Sequence, residues 1–175
     1  HFLMTTTTGG AARIFEWLEL YHQTEWPELE VYFTSVTDHW ATLTLSGPNS
    51  RKLLAEVTDI DLDKDAFPFM SWKEGKVGGV PARVFRISFT GELSYEVNVQ
   101  ADYALGVWEQ LIEAGKKYGL TPYGTETMHV LRAEKGYPII GQDTDGTVSP
   151  HDLGMAWAVS AKKVDFVGKR SFARV

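Results

Sequence analysis

Apolar residues recur along this chain with two different periods, and the switches between them mark its elements. Ala11, Ile14, Phe15, Leu18 and Tyr21 fall at three- and four-residue steps, which places them on one face of a helix. Before them, Phe2 to Thr8 is short, rich in β-branched residues and followed by Gly9-Gly10, the pattern of a strand and a turn. Glu30 to Val36 and His39 to Leu45 read as two strands around Thr37-Asp38. Ser46-Gly47-Pro48 opens a second helix, with Pro48 near its first turn and Leu53, Leu54 and Val57 facing inward. The order so far is β-α-β-β-α, most of a ferredoxin-like unit.

The remainder repeats that order without repeating the sequence. Gly78-Gly79 marks a turn, and Ala82 to Phe89 and Leu93 to Val99 form a strand pair joined through Thr90-Gly91-Glu92. Ala101-Asp102 starts a helix with Asp102 as its cap. Its apolar stripe is Leu105, Trp108, Leu111 and Ile112, Lys116-Lys117 sit in its last turn, and Gly119 ends it. Thr121-Pro122 opens another helix, which Gly136 closes. The prediction is an α+β fold of two ferredoxin-like βαββα lobes, about 1–68 and 69–175. Both ends read as cuts through a larger protein. His1 is followed at once by a strand-like run, and Phe166 to Val175 stops as a new element begins.

Composition narrows the class of function. Hydrophobic residues at 43% and aromatics at 13% of 175 residues supply a core and exclude a disordered tail. A net charge of -6 argues against nucleic acid, whose phosphates need clustered Lys and Arg. The chain has no cysteine, which removes disulfides, a thiol nucleophile and Cys-based metal sites and fits the cytoplasm. No apolar run nears the ~20 residues that span a bilayer, and the first residues do not form a secretory signal. Neither a membrane nor a nucleic acid is an expected partner.

Few residues suggest chemistry by pattern alone. In Ser88-Phe89-Thr90-Gly91-Glu92-Leu93-Ser94-Tyr95-Glu96, strand alternation after the turn puts Ser94 and Glu96 on one face and Leu93, Tyr95 and Val97 on the other. The plain reading of Glu96 is a solvent-facing glutamate on a half-exposed sheet. Arg132 and Glu134 read as a surface charge pair near a helix end, Met128, Val130 and Leu131 as core, and Trp157 as a core tryptophan. Asp59 to Asp65 is a solvated acidic loop. Gln142-Asp143-Thr144-Asp145-Gly146-Thr147 is a polar turn, because it lacks the third oxygen ligand and the later glutamate of a calcium loop. The five histidines show no metal-ligand spacing, and no phosphate-cradling glycine motif is present. No metal is expected.

Four stretches, taken in order, resemble the aminomethyltransferase family, that of the glycine cleavage T-protein. They are Ser46-Gly47-Pro48, Ser88-Phe89-Thr90-Gly91-Glu92 through Tyr95-Glu96, Leu131-Arg132-Ala133-Glu134-Lys135-Gly136, and Ser149-Pro150 through Met155-Ala156-Trp157. Gly124 to Tyr137, Gly141 to Thr147 and Met4 to Gly10 are similar to the alpha-subunit branch of heterotetrameric sarcosine oxidases. Met128 stands where T-proteins carry an arginine used toward folate, which favours the sarcosine or dimethylglycine branch. A T-protein and a non-catalytic folate-binding or regulatory domain of the same fold are the alternatives.

The resemblance implies tetrahydrofolate binding, with Glu96 holding the pterin and Phe89 and Trp157 lining its pocket. Phe89 replaces a tyrosine common in T-proteins. The resemblance also implies that the family's catalytic aspartate lies upstream of His1, so no residue of this chain is assigned to catalysis. FAD, FMN and NAD are then expected only in other parts of a parent enzyme, together with other subunits of a hetero-oligomer. That enzyme oxidises sarcosine to glycine and passes the one-carbon unit to tetrahydrofolate as 5,10-methylenetetrahydrofolate; this piece alone is inactive.

Overall fold

A computed structural model describes residues 1–172. It divides into two units, one of residues 1–88 and 92–121, the other of 89–91 and 122–175. The first contains helix α1 (Ala11–Thr24), strand β1 (Trp40–Ser46), helix α2 (Ser50–Leu54), strands β2 (Trp72–Val77), β3 (Val80–Phe85) and β4 (Ser94–Gln100), and helix α3 (Ala104–Gly115). The four strands form one antiparallel sheet in the order β1-β4-β3-β2. The fold class is α+β, as the sequence predicts. The lobe boundary expected near residue 68 falls within this unit, where β1 pairs along its whole length with β4.

Burial follows the alternation of the strands. Tyr95, Val97 and Val99 of β4, Val84 of β3 and Val77 of β2 are fully buried on one face. Val107 and Leu111 of α3 and Leu53 and Leu54 of α2 share that core. Among the described residues the hydrophobic core lies wholly in this unit. At its centre the Tyr95 ring packs on Phe67 at 5.9 Å, and the Tyr95 hydroxyl accepts from Arg51 Nε at 2.9 Å. The acidic loop joins in by alternation: Ile60 and Leu62 are buried, while Asp61 and Asp63 accept the amides two residues on, each at 2.9 Å.

The β2-β3 connection shows local chemistry setting register. Gly78 and Gly79 have φ of +58° and +79°, the pair of left-handed residues that a two-residue hairpin turn requires. Val77 therefore pairs with Val80, and the ladder runs back to Trp72 opposite Phe85.

Several expected elements differ. Phe2–Thr8 and Glu30–Val36 are not strands; neither finds a ladder partner, and their mostly exposed backbone is left to solvent. β2 was not anticipated, because Lys73, Glu74, Gly75 and Lys76 hide its alternation. On α3 the buried face is Val107, Leu111 and Gly115, while Leu105 and Trp108 are exposed. Val107 and Leu111 join the core, and Gly115 leaves room for the Leu120 side chain, which would lie 2.4 Å from a Cβ there. Asp102 lies in a 3-10 turn leading into α3 and makes no side-chain cap bond.

The second unit holds helices α4 (Thr125–Glu134) and α5 (Lys169–Phe172); Ala173 to Val175, the end of the run expected to begin a new element, lie outside the described residues. Met128 and Leu131 are half-buried and Val130 is exposed, so they do not form the core expected of them. Polar bonds organise this unit. Arg132, expected at the surface, is buried. Its guanidinium grips both oxygens of Asp143, Nη2 to Oδ1 at 3.2 Å, and donates to Tyr137 O at 3.1 Å. Asp143 Oδ2 also accepts from Ile139 N at 2.7 Å. The polar turn predicted at Gln142–Thr147 is thus tied to the end of α4. Among the described residues no helix is long and apolar enough to cross a membrane, and no group of three potential ligands could hold a metal.

Two outcomes test this fold. Leu54 is fully buried, so Leu54→Ala should lower stability by about 2–5 kcal/mol in chemical denaturation. The Arg132 side chain, with help from Ile139 N, holds the Asp143 carboxyl below its usual range. A lowered folded-state pKa gives stability that is present above the unfolded value and lost as pH falls through the folded one. Hydrogen exchange at the Ile139 amide, corrected for intrinsic rate, should therefore show weaker protection on acidification below about pH 4. Asp143→Asn should show weak protection at every pH.

Candidate functional site

The candidate site is the side of the sheet opposite the core. β4 is an interior strand, and its register fixes what stands beside each outward residue. Glu96 is the ladder partner of Thr44 on β1 and of Phe85 on β3, and Phe85 is in turn the partner of Trp72 on β2. One row across the sheet thus reads Thr44, Glu96, Phe85, Trp72. Directly opposed partners hold their Cβ atoms about 4.5–5.5 Å apart. The Phe85 ring stacks on Trp72 with centroids 6.1 Å apart at 27°.

Glu96 is half-buried, and the surrounding protein raises its carboxyl above the usual carboxylate range through desolvation. Its carboxylate has no hydrogen-bond donor among the described residues; besides the sheet ladder, its backbone carbonyl accepts from Asn98 Nδ2 at 3.4 Å. This is not the plain solvated glutamate of the pattern reading. Two acceptor oxygens are held on a strand, partly stripped of water and unmatched.

The neighbouring row is engaged across its strands. Thr42 Oγ1 donates to Asn98 Oδ1 at 2.7 Å, and Arg83 Nε donates to Glu74 Oε1 at 3.0 Å. Arg83 also lies over the Trp40 ring, 4.8 Å from its centroid. A ligand with paired donors would find both oxygens of a partly desolvated carboxylate at Glu96.

One motif braces the strand. Gly47 N donates to Leu93 O at 2.8 Å and Ser50 Oγ to the same oxygen at 3.0 Å. Ser46 and Ser94 share a hydroxyl bond of 2.8 Å. The Ser46-Gly47-Pro48 turn is thereby fastened to the start of β4, two residues before Glu96. In the second unit, Gly91 has φ +78°, and a Cβ there would lie 2.3 Å from Lys135 Cγ. The Thr-Gly turn and the Ala-Glu-Lys-Gly segment therefore meet with no room for a side chain.

The other predicted site residues belong to the second unit. Phe89 is half-buried beside the buried Thr90. Trp157 sits in a 3-10 turn, Ala156–Ala158, and is 79% exposed, so it is not a core residue. Thr44, Phe85 and Trp72 were missed as site residues. A signal for them existed: a strand pair folded about the Thr90-Gly91 bond sets Phe85 opposite Glu96, and one folded about Gly78-Gly79 sets Trp72 opposite Phe85.

With this geometry in hand, comparison with known proteins places the chain. The model for the GCVT N-terminal domain matches residues 1–163. The chain is 58% identical over 175 residues to the sarcosine oxidase subunit alpha of Corynebacterium sp. (strain P-1) and 45% identical to that of Rhizobium meliloti, covering 99% of itself and 18% of each relative. It is 34% identical over 173 residues to the aminomethyltransferase of Halothermothrix orenii, of which it covers 46%. The chain thus spans about a fifth of the length of the sarcosine oxidase subunits it matches. It belongs to the family of the GCVT N-terminal domain.

Proposed function

We propose that this chain is the tetrahydrofolate-binding part of a sarcosine oxidase alpha subunit, and that Glu96 holds the pterin. The observation that carries the reading is the donor-less, partly desolvated carboxylate of Glu96 on the open face of the sheet. A reduced pterin presents an exocyclic amino group and a ring N–H side by side, and a carboxylate accepts from both. The Phe85-Trp72 pair next to it supplies an apolar surface for the body of a ring. Phe89 and Trp157, in the second unit, remain folate-binding candidates on the family resemblance alone.

Tetrahydrofolate would supply the nucleophilic nitrogen that takes up a one-carbon unit released from sarcosine. The contribution of this chain is positioning: β4 fixes the direction of the Glu96 oxygens, and orientation of a bound reactant lowers the entropic part of the barrier. The parent enzyme, on this reading, oxidatively demethylates sarcosine to glycine in the cytoplasm. Its flavins, FAD and FMN, and its NAD lie in other parts, and its catalytic aspartate is outside this chain. The relatives' designation as a subunit alpha supports a hetero-oligomer. The sarcosine branch is preferred over a T-protein because the identity to those subunits exceeds that to the aminomethyltransferase.

In the protein that contains this chain, Glu96→Gln should weaken tetrahydrofolate binding about tenfold to a hundredfold, because bonds to a charged acceptor are worth roughly 1.5–3 kcal/mol. Isothermal titration measures it, and unchanged affinity removes Glu96 from the site. A pH dependence accompanies it. Burial raises the Glu96 carboxyl, so its contribution to fold stability is present at low pH and lost as pH rises through the raised value. Binding has the opposite sign, since the deprotonated form accepts the donors. Affinity should fall as pH drops through the raised value, starting at higher pH than for an ordinary carboxylate. The glutamine variant should lack that dependence.

A further inference from the structure

The row that holds Glu96 is asymmetric. On the β1 side its neighbour is Thr44, an exposed residue with only a methyl and a hydroxyl to offer. On the β3 side it is Phe85, with Trp72 behind it in near-parallel contact. Trp72 is 55% exposed, so with Phe85 it presents an aromatic surface on the open side of the sheet. The two rings are not core: their strands bury the opposite alternation, Val77, Ala82 and Val84. Both lie outward on the same side as Glu96.

This sets a geometric requirement on a ligand. A planar ring whose two edge donors point at the Glu96 oxygens must lay its faces against the neighbours of Glu96. In the next row, Thr42 Oγ1 donates to Asn98 Oδ1 and Arg83 Nε to Glu74 Oε1, whereas the Glu96 carboxylate receives no donor from the described residues. Of the side chains flanking Glu96 on the sheet, Phe85 alone has a flat apolar face.

We propose that Phe85, held in place by Trp72, is the wall against which the pterin packs, and that this aromatic pair sets the preference for a ring-bearing ligand at Glu96. The proposal rests on the reading of Glu96 as the pterin anchor and adds a residue that neither composition nor motif singled out. Glu96 fixes the edge of the ring, Phe85 fixes its plane, and Trp72 limits the swing of Phe85.

The test uses the protein that contains this chain, titrated calorimetrically with 5-formyltetrahydrofolate, with melting temperature recorded for each variant. Phe85→Ala should weaken binding about threefold to tenfold or more, the range expected for loss of an aromatic contact. Phe85→Tyr, which keeps the flat face, should restore wild-type affinity, a rescue that a merely structural role does not require. Phe85→Leu keeps apolar bulk at a half-buried position and carries the test if the alanine variant melts early; a loss of about threefold is expected for it. Trp72→Ala should weaken binding less than Phe85→Ala. If Glu96→Gln weakens binding while Phe85→Leu and Phe85→Ala bind as wild type, the wall is refuted and the folate reading survives. If neither Glu96→Gln nor the Phe85 variants change affinity, both fall together.

Discussion

The structure depends on the double pairing of β4. Lying between β1 and β3, this strand has its backbone bonded on both sides, and its alternation leaves no freedom in which side chains face in. Tyr95, Val97 and Val99 go to the core with no exposed surface, so Ser94, Glu96 and Asn98 must face the other way. A slip of one residue would drive a carboxylate into the core and three apolar side chains out of it, a cost of many kcal/mol. The burial of one face is therefore what holds the chemistry of the other. The Ser46-Gly47-Pro48 turn adds to this by fixing Leu93, just ahead of the strand, through two hydrogen bonds to one oxygen.

The two units use different physics. The first is a sheet with helices packed on its buried side, and its stability is that of apolar burial. The second is organised by polar links, of which the Arg132-Asp143 pair is the clearest, joining the end of α4 to the turn that follows. A buried arginine left without its carboxylate would be strongly unfavourable. Asp143 thus works as a structural counter-charge, and the turn that tempts one toward calcium is explained by the guanidinium it serves.

Much of this was legible in the sequence, and the failures have identifiable causes. The period-two run after Gly91 located β4 and the outward direction of Glu96, and Gly78-Gly79 announced the hairpin. The resemblance motifs at Ser46-Gly47-Pro48 and Ser88 to Glu96 proved to be places where backbone segments are tied together. What one strand's alternation does not show is its neighbours. Phe85 and Trp72 stand beside Glu96 only through the register of two hairpins, and β2 was hidden because three charged residues and a glycine occupy a strand that lies at the sheet edge. The α3 stripe was misjudged by counting size. Leu105 and Trp108 are large but exposed, while Val107 and Leu111 are buried in the core and Gly115 is closed over by Leu120. Trp157, whose apolar surroundings in the sequence suggest a core position, is mostly exposed in this chain.

The pterin reading places two edge donors of the ring on the unmatched carboxylate of β4. The most direct measurement is a crystal structure of the protein containing this chain with 5-formyltetrahydrofolate bound. The exocyclic amino group and the adjacent ring N–H should each lie about 3 Å from a Glu96 oxygen, with the ring face on Phe85. A pterin seated elsewhere, with Glu96 still without a donor, would contradict it.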